Sequence, residues 1–226
     1  MLKKCTMIVF GVLAFGVILL LATRQYTLHW GATSAEVNQT MPGDELLPDS
    51  VMTSTRAINI HVSAEKVWPW LVQMGQGRGG FYSYDWLESL VGLDIQNTDK
   101  IVPELQNLKK GDLIPFSKES GIDVVEIKPN QLLVLAGTLI VPEGTKGHKA
   151  GDTMVGGTWT FKLENAEKPA EKQSDDNSCR LVVRSRVARF EPAWISNIFM
   201  RLLEPAHFIM ERKMLKGIKQ RAEQTY

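Results

Sequence analysis

MGQGRGGFYSYDW, running from Met74 to Trp86, sets four aromatic rings, one arginine and a cluster of glycines between two segments of helical period. Gly75 to Gly80 satisfy the G-x-G-x-x-G pattern of dinucleotide-binding folds, so this stretch decides between a doubly wound parallel sheet and another architecture. The fingerprint needs a buried strand before the glycines and a helix directly after them, so that a pyrophosphate sits on the helix N-terminus. Here Ser63 to Met74 come first, with Val67, Trp70, Leu71 and Met74 spaced three, one and three apart along a helical face. A helix where a strand is required argues against the dinucleotide reading. The glycines instead let the backbone turn sharply and approach a neighbour, and the rings supply apolar surface with polar tips. That combination predicts a pocket wall. Trp70, Met74, Phe81, Tyr82 and Trp86 are expected to line it, with Gln73, Gln76 and Arg78 making polar ligand contacts.

Outward from this stretch the period changes. Upstream, Arg56 to Val62 alternates Ala57, Asn59 and His61 with Ile58, Ile60 and Val62, the period of a half-buried strand. Ser63 is placed as a helix N-cap, and Pro69 is expected to bend or restart the helix near Trp68. Tyr82 to Val91, closed by Gly92, reads as a second short helix. Downstream, Leu113 to Phe116, Asp123 to Ile127, Gln131 to Thr138, Thr158 to Leu163 and Arg180 to Phe190 read as strands, with Pro129-Asn130 as a turn. Gly144 to Gly157 reads as a glycine-rich connection, and Asn165 to Ser178 as a solvated hairpin loop. A long helix opens at Glu191-Pro192, with Ile195, Ile198, Phe199, Leu202, Ala206, Ile209, Met210 and Met214 on a broad apolar face and Pro205 as a possible kink site. This order describes a curved antiparallel sheet gripping a terminal helix, with a cavity between them.

The N-terminus carries a different signal. CTMIVFGVLAFGVILLLA, from Cys5 to Ala22, has no charge, and at about 1.5 Å per helical residue it reaches the roughly 30 Å hydrocarbon thickness of a bilayer. Leu20, Leu21, Ala22, Thr23 and Arg24 offer no small-x-small cleavage site, so an uncleaved anchor is the reading. Lys3 and Lys4 before the run, against Arg24 after it, place the N-terminus in the cytoplasm and the folded domain outside. The chain therefore divides into an anchor (residues 1–25), a connector that straps across the domain (26–54) and one folded domain (55–226). With 26 basic and 25 acidic residues in 226, no excess positive field favours nucleic acid. Cys5 and Cys179 read as free thiols, no C-x-x-C spacing exists, and neither a cofactor nor an oligomeric state is signalled.

Met74 to Glu88 (MGQGRGGFYSYDWLE), Gly31-Ala32-Thr33, Pro42-Gly43-Asp44-Glu45, and Glu204 to Lys219 (EPAHFIMERKMLKGIK) together resemble bacterial members of the START-like, or SRPBCC, superfamily. That superfamily includes polyketide cyclases, lipid-transfer START domains and the birch-pollen-allergen group. The resemblance covers roughly residues 31 to 222 and implies an α+β helix-grip fold with a hydrophobic cavity. It implies no single activity, because one scaffold hosts binders, transfer proteins and enzymes.

Glu204, His207 and Glu211 share one face of the terminal helix. A lone E-x-x-H is at most half of a carboxylate-bridged di-iron site, so no metal is assigned. Pairing with Arg201, Arg212 or strand arginines, or capping the cavity mouth, is expected instead. Arg184 and Arg186 share a strand face expected to point outward, as solvated charges. Asp85 is expected to pair with Arg78. The leading functional reading is a membrane-anchored module holding a lipid-like or polycyclic molecule. A second is a cyclase-like or aromatase-like enzyme moving protons through Tyr82 and Asp85, or Glu204 and His207. A third is a protein-interaction scaffold presenting Tyr82, Tyr84 and Trp86.

Overall fold

The computed structural model describes residues 11, 16, 18–19, 21–86, 95–116, 120–140, 153–165, 178–190 and 192–225. Residues 21–28 are helical (α1), followed by a short helix α2, Ser34–Asn38. Strand β1 is Ser50–Ile60 and helix α3 is Ala64–Val72. Then come β2 (Leu113–Pro115), β3 (Gly121–Lys128), β4 (Leu132–Ile140), β5 (Thr153–Asn165) and β6 (Cys179–Ala188). The chain closes with the 32-residue helix α4, Ala193–Gln224. The strands form one antiparallel sheet in the order β1-β6-β5-β4-β3-β2. This is the expected α+β arrangement, a sheet closed on a long terminal helix.

One sheet face carries Leu181 and Val183 of β6, Phe161 and Leu163 of β5, and Leu133 and Leu135 of β4, all buried. Against it pack α3, through Val67, Trp70 and Leu71, and the C-terminal half of α4, through Met214, Leu215 and Ile218. The opposite face is covered by residues 31–48, whose Met41 packs with Ala57 and Val182 in a second, small core. Because both faces of β1 are covered, polar residues at its start are buried too, and the strand begins at Ser50, ahead of the clean alternation from Arg56.

Several local expectations are corrected. Helix α3 does not restart at Pro69 but is continuous across it, as α4 is across Pro205; each proline still removes one backbone hydrogen bond. Tyr82 has φ of 57° and is not helical; helix resumes at Asp85, and residues 87–94 lie outside those described. The strand β5 begins at Thr153, so the end of the glycine-rich connection is strand, while residues 141–152 and the hairpin loop 166–177 lie outside the described residues. Arg184 does face away from the grip helix, but it is 3% exposed, not solvated. Most of the apolar run 5–22 lies outside the described residues. Among those described, no helix is long and apolar enough to cross a membrane. Cys5 lies outside them, while Cys179 is a free, buried thiol pushed up to about 12 by burial.

Candidate ligand cavity

The glycine loop closes on itself. Gly75 and Gly80 exchange backbone hydrogen bonds of 3.1 and 3.0 Å, and Gly75, Gly77 and Gly80 all take positive φ, a conformation glycine adopts without steric cost. Arg78 folds back inside the turn, donating from Nε to the Met74 carbonyl at 3.0 Å and from Nη2 to the Val72 carbonyl at 2.9 Å. These carbonyls lie at the C-terminal end of α3, where orphan acceptors and the helix dipole both favour a cation. Arg78 is thus a helix cap, and the expected Arg78–Asp85 pair does not form; Asp85 accepts from Asn97 Nδ2. Gln73 is buried and ties α3 to the next segment, donating to Lys100 O at 3.1 Å and accepting from Val102 N at 3.0 Å. The Gln76 backbone N–H donates to Pro115 O at 2.8 Å.

The aromatic candidates separate. Trp70, Met74 and Tyr82 are at most 1% exposed and belong to the core. The Tyr82 hydroxyl donates to the Trp70 carbonyl at 3.0 Å, and burial pushes its phenol well above the ordinary range. Its backbone lies so close to α4 that a Cβ on Gly217 would sit 2.5 Å from the Tyr82 carbonyl oxygen, so a residue with a side chain at 217 would force the loop away. Trp86 is 64% exposed beside Tyr84. Tyr82, Asp85 and Trp86 therefore do not meet at one site, and the burial of Tyr82 leaves no three-ring surface patch. Of the loop's ligand-contact candidates, Phe81 reaches the cavity.

That cavity, about 290 Å³, lies between the sheet, α4 and the loop. Phe81 sits between Phe116 and Trp159, its ring centroid 5.0 Å from the first and 6.1 Å from the second. Ile122, Val187, Met210 and Met214 complete the apolar wall. Gly137 and Gly157 face each other across β4 and β5 on the same side. A Cβ built on Gly137 would meet only Ile122 Cγ1 at 3.9 Å and Gly157 O at 4.0 Å; the volume exists partly because two strand positions carry no side chain.

One corner is polar. Glu211 of α4, 3% exposed, accepts from Ser185 Oγ at 2.7 Å, from Trp159 Nε1 at 2.9 Å and from the Arg56 guanidinium. Burial alone would raise this carboxyl; the neighbouring His207, then Arg56, and the hydrogen bonds from Ser185 and Arg56 outweigh it and hold Glu211 below the usual carboxylate range. Arg56 Nη1 also donates to His207 Nδ1 at 3.1 Å. That nitrogen must accept, so the network assigns the ring proton to Nε2. Burial, reinforced by the charge of Arg56, pushes the His207 imidazole down from its ordinary value against the pull of Glu211. His207 Nε2 stands 3.7 Å from Glu211 Oε1, beyond hydrogen-bond length. A neutral imidazole on the cavity wall thus presents an N–H donor beside an anion already supplied with donors. Glu204 faces elsewhere and takes a two-point pair from Arg24 at 2.8 and 2.9 Å, so the E-x-x-H residues point to different partners. Among the described residues, no group of three His, Cys, Asp or Glu side chains is placed to hold a metal.

Arg56, Trp159 and Ser185 were not singled out from the sequence, yet each left a signal. Arg56 has the same parity as Ile58, Ile60 and Val62, Ser185 that of Leu181, Val183 and Val187, and Trp159 that of Phe161 and Leu163. A charge or hydroxyl on a strand's apolar face needs a buried partner, and Glu211 is that partner for all three.

The strand order β1-β6-β5-β4-β3-β2, with α3 leaving β1 and α4 laid along the same face, is the helix-grip topology. The fold is a helix-grip. No family model matches the sequence, and no curated protein matches it. In structure, the chain is similar to protein MLL2253 from Mesorhizobium loti, at 14% identity and a TM-score of 0.42 over 77% of this chain and 99% of that one. It is also similar to the polyketide cyclase-like protein Cgl2372 from Corynebacterium glutamicum, at 15% identity and a TM-score of 0.38 over 78% and 94%. A third similarity is to the Aha1 dimer from Colwellia psychrerythraea, at 17% identity and a TM-score of 0.35 over 72% and 93%.

Proposed function

We propose that this chain is a membrane-anchored binding module that holds a hydrophobic, lipid-like or polycyclic small molecule with one hydrogen-bond acceptor in the cavity between sheet and α4. The observation that carries this reading is the pairing of an apolar, ring-lined wall with a single polar corner, where His207 offers a donor. A ligand pocket of this kind uses apolar area for affinity and a few polar groups for orientation. The volume, about 290 Å³, equals that of about ten water molecules, which suits a compact ring system or one segment of an acyl chain.

Proton transfer is poorly served by the same corner. Glu211 is held as a carboxylate whose Oε1 already accepts from Ser185 and Trp159 and whose Oε2 accepts from Arg56, and the basic nitrogen of His207 is taken by Arg56. A general base needs an available lone pair within reach of the substrate. Tyr82 and Asp85 are bonded to Trp70 and Asn97. The anchor, residues 5–22, and an extracytoplasmic domain rest on the uncharged run and the flanking charges; a tethered domain would meet bilayer lipophiles at high local concentration.

The test is native mass spectrometry of the full chain released from membranes in detergent. A bound lipophile that is lost when Gly137→Leu fills the cavity supports the reading. Identical adducts on the wild type and Gly137→Leu would place the lipophile outside the cavity and refute it.

A further inference from the structure

The helix α4 changes character along its length. Its first turns, AWISNIFMRLL from Ala193 to Leu203, carry one charge, Arg201, whereas Glu211 to Arg221 carry many. The C-terminal half grips the sheet, but Trp194, Ile198, Phe199 and Leu202 of the first half are 48–65% exposed. That apolar surface is far more than a solvated helix end requires.

Three contacts fix what lies beside it. Arg24 pairs with Glu204, Tyr26 stacks edge-on against Phe208 at 6.1 Å, and Arg212 lies 5.1 Å over the Trp30 ring. Rising numbers match rising numbers, so α1 and its continuation run parallel to α4. The chain before Arg24 therefore leaves in the same direction as the exposed half of α4. There Leu19 and Leu21 are also more than half exposed, and they belong to the uncharged run that ends at Ala22. On both helices the uncharged stretch gives way to charge near the Arg24–Glu204 pair, with Arg201 one turn before it on α4.

We infer that the N-terminal half of α4 is a second membrane contact, seated in the same leaflet into which the anchor enters. This inference rests on the anchored reading above. Two parallel helices whose uncharged, exposed apolar stretches lie on the same side of the Arg24–Glu204 pair fit a lipid surface, since a bilayer presents one plane to both. At about 1.5 Å per residue, Ala193 to Glu204 extends about 16 Å, too short to cross roughly 30 Å of hydrocarbon, so this half of α4 reaches into one leaflet and does not span. Val187 lines the cavity one residue before β6 ends, and the chain then passes Phe190 into this tip. The contact thus brings the Val187 end of the cavity toward the leaflet.

The experiment uses the full chain, with Cys5→Ala, in liposomes of phosphatidylethanolamine and phosphatidylglycerol, carrying an NBD label at Ile198→Cys, Trp194→Cys or Gln220→Cys. We expect labels at 194 and 198 to emit to the blue of the label at 220 and to be quenched by doxyl-labelled lipid, while 220 is not. Labels at 194 and 198 as wet as that at 220, in chain that stays with the vesicles on flotation, would overturn the inference and leave the anchor standing. Chain that fails to float would overturn both. A blue shift without quenching by lipid would place another protein surface on this face, and would also overturn it.

Discussion

Arg56 and Glu211 form an ion pair whose side chains are 0% and 2% exposed, linking the apolar face of β1 to the middle of α4. Removing one partner strands the other charge out of water, at a cost of about 3–5 kcal/mol, whereas replacing both by apolar groups is far milder. Arg56→Met should therefore destabilise more than the double variant Arg56→Met/Glu211→Met. Denaturant unfolding of the two, followed by tryptophan fluorescence, checks this. Equal losses would mean that water reaches the pair.

His207, whose side chain is 32% exposed on the cavity wall, gives the stability a pH dependence whose sign is set by its partial burial and the charge of Arg56. Its folded value lies below the ordinary 6.5, so the unfolded chain binds the proton more readily and acid favours unfolding. The contribution is intact above 6.5 and is lost as pH falls through the folded value. Glu211, also below its ordinary 4.5, adds a loss of the same sign at lower pH. The melting temperature should therefore fall between about pH 7 and 5, and His207→Gln should flatten that fall. His29, lowered as well by burial and nearby arginines, leaves a residual slope. Parallel pH profiles for wild type and variant would contradict a neutral His207.

At Gly137 the cavity can be closed without unfolding the chain. The position lies in β4, its φ is not positive and a Cβ there has only ordinary neighbours. Gly137→Leu should keep or slightly raise the melting temperature, since glycine inside a strand costs about 0.5–1 kcal/mol. It should also abolish retention of an added apolar fluorophore such as ANS, read by titration against the wild type. A melting temperature lowered by the change would show that the glycine serves packing.

The sheet, the grip helix and the glycine turn were legible in the sequence because each has a local signature: period two, period 3.6, and glycines where φ is positive. The cavity was legible only in outline. The aromatic loop drew attention through its composition, yet Trp70 and Tyr82 build the core, and Gln73 and Arg78 satisfy backbone groups. Local composition cannot separate a ring facing a ligand from a ring facing a helix. What does separate them is non-local: Trp159, Ser185 and Arg56 lie on three strands and meet at Glu211. The motif residues upstream have a structural use as well. Thr33 and Glu36 form a reciprocal capping box, and Asp44 accepts from the Met41 N–H at 2.9 Å, shaping the segment that covers the outer face.

That segment is held by Arg184. Its guanidinium donates to Asp44 at 2.6 Å, to Thr55 Oγ1 at 2.9 Å, and to the carbonyls of Gln39, Glu36 and Val37 at 2.8, 2.8 and 3.0 Å. An arginine on an outward strand face is thereby the centre of a buried network, with donors matched to the carbonyls of a single short stretch. Arg184→Met keeps the apolar stem but leaves those acceptors unpaired, each costing about 1–3 kcal/mol when buried and less once the segment lifts into water. Lifting is therefore the cheaper response. Hydrogen exchange should accelerate by at least about tenfold, the equivalent of 1.4 kcal/mol, at residues 35–47, while β4 and β5 keep their protection. Arg184→Lys, lacking the planar fork, should reproduce most of the effect. Uniform acceleration through the whole sheet would show that the segment and the sheet open as one unit.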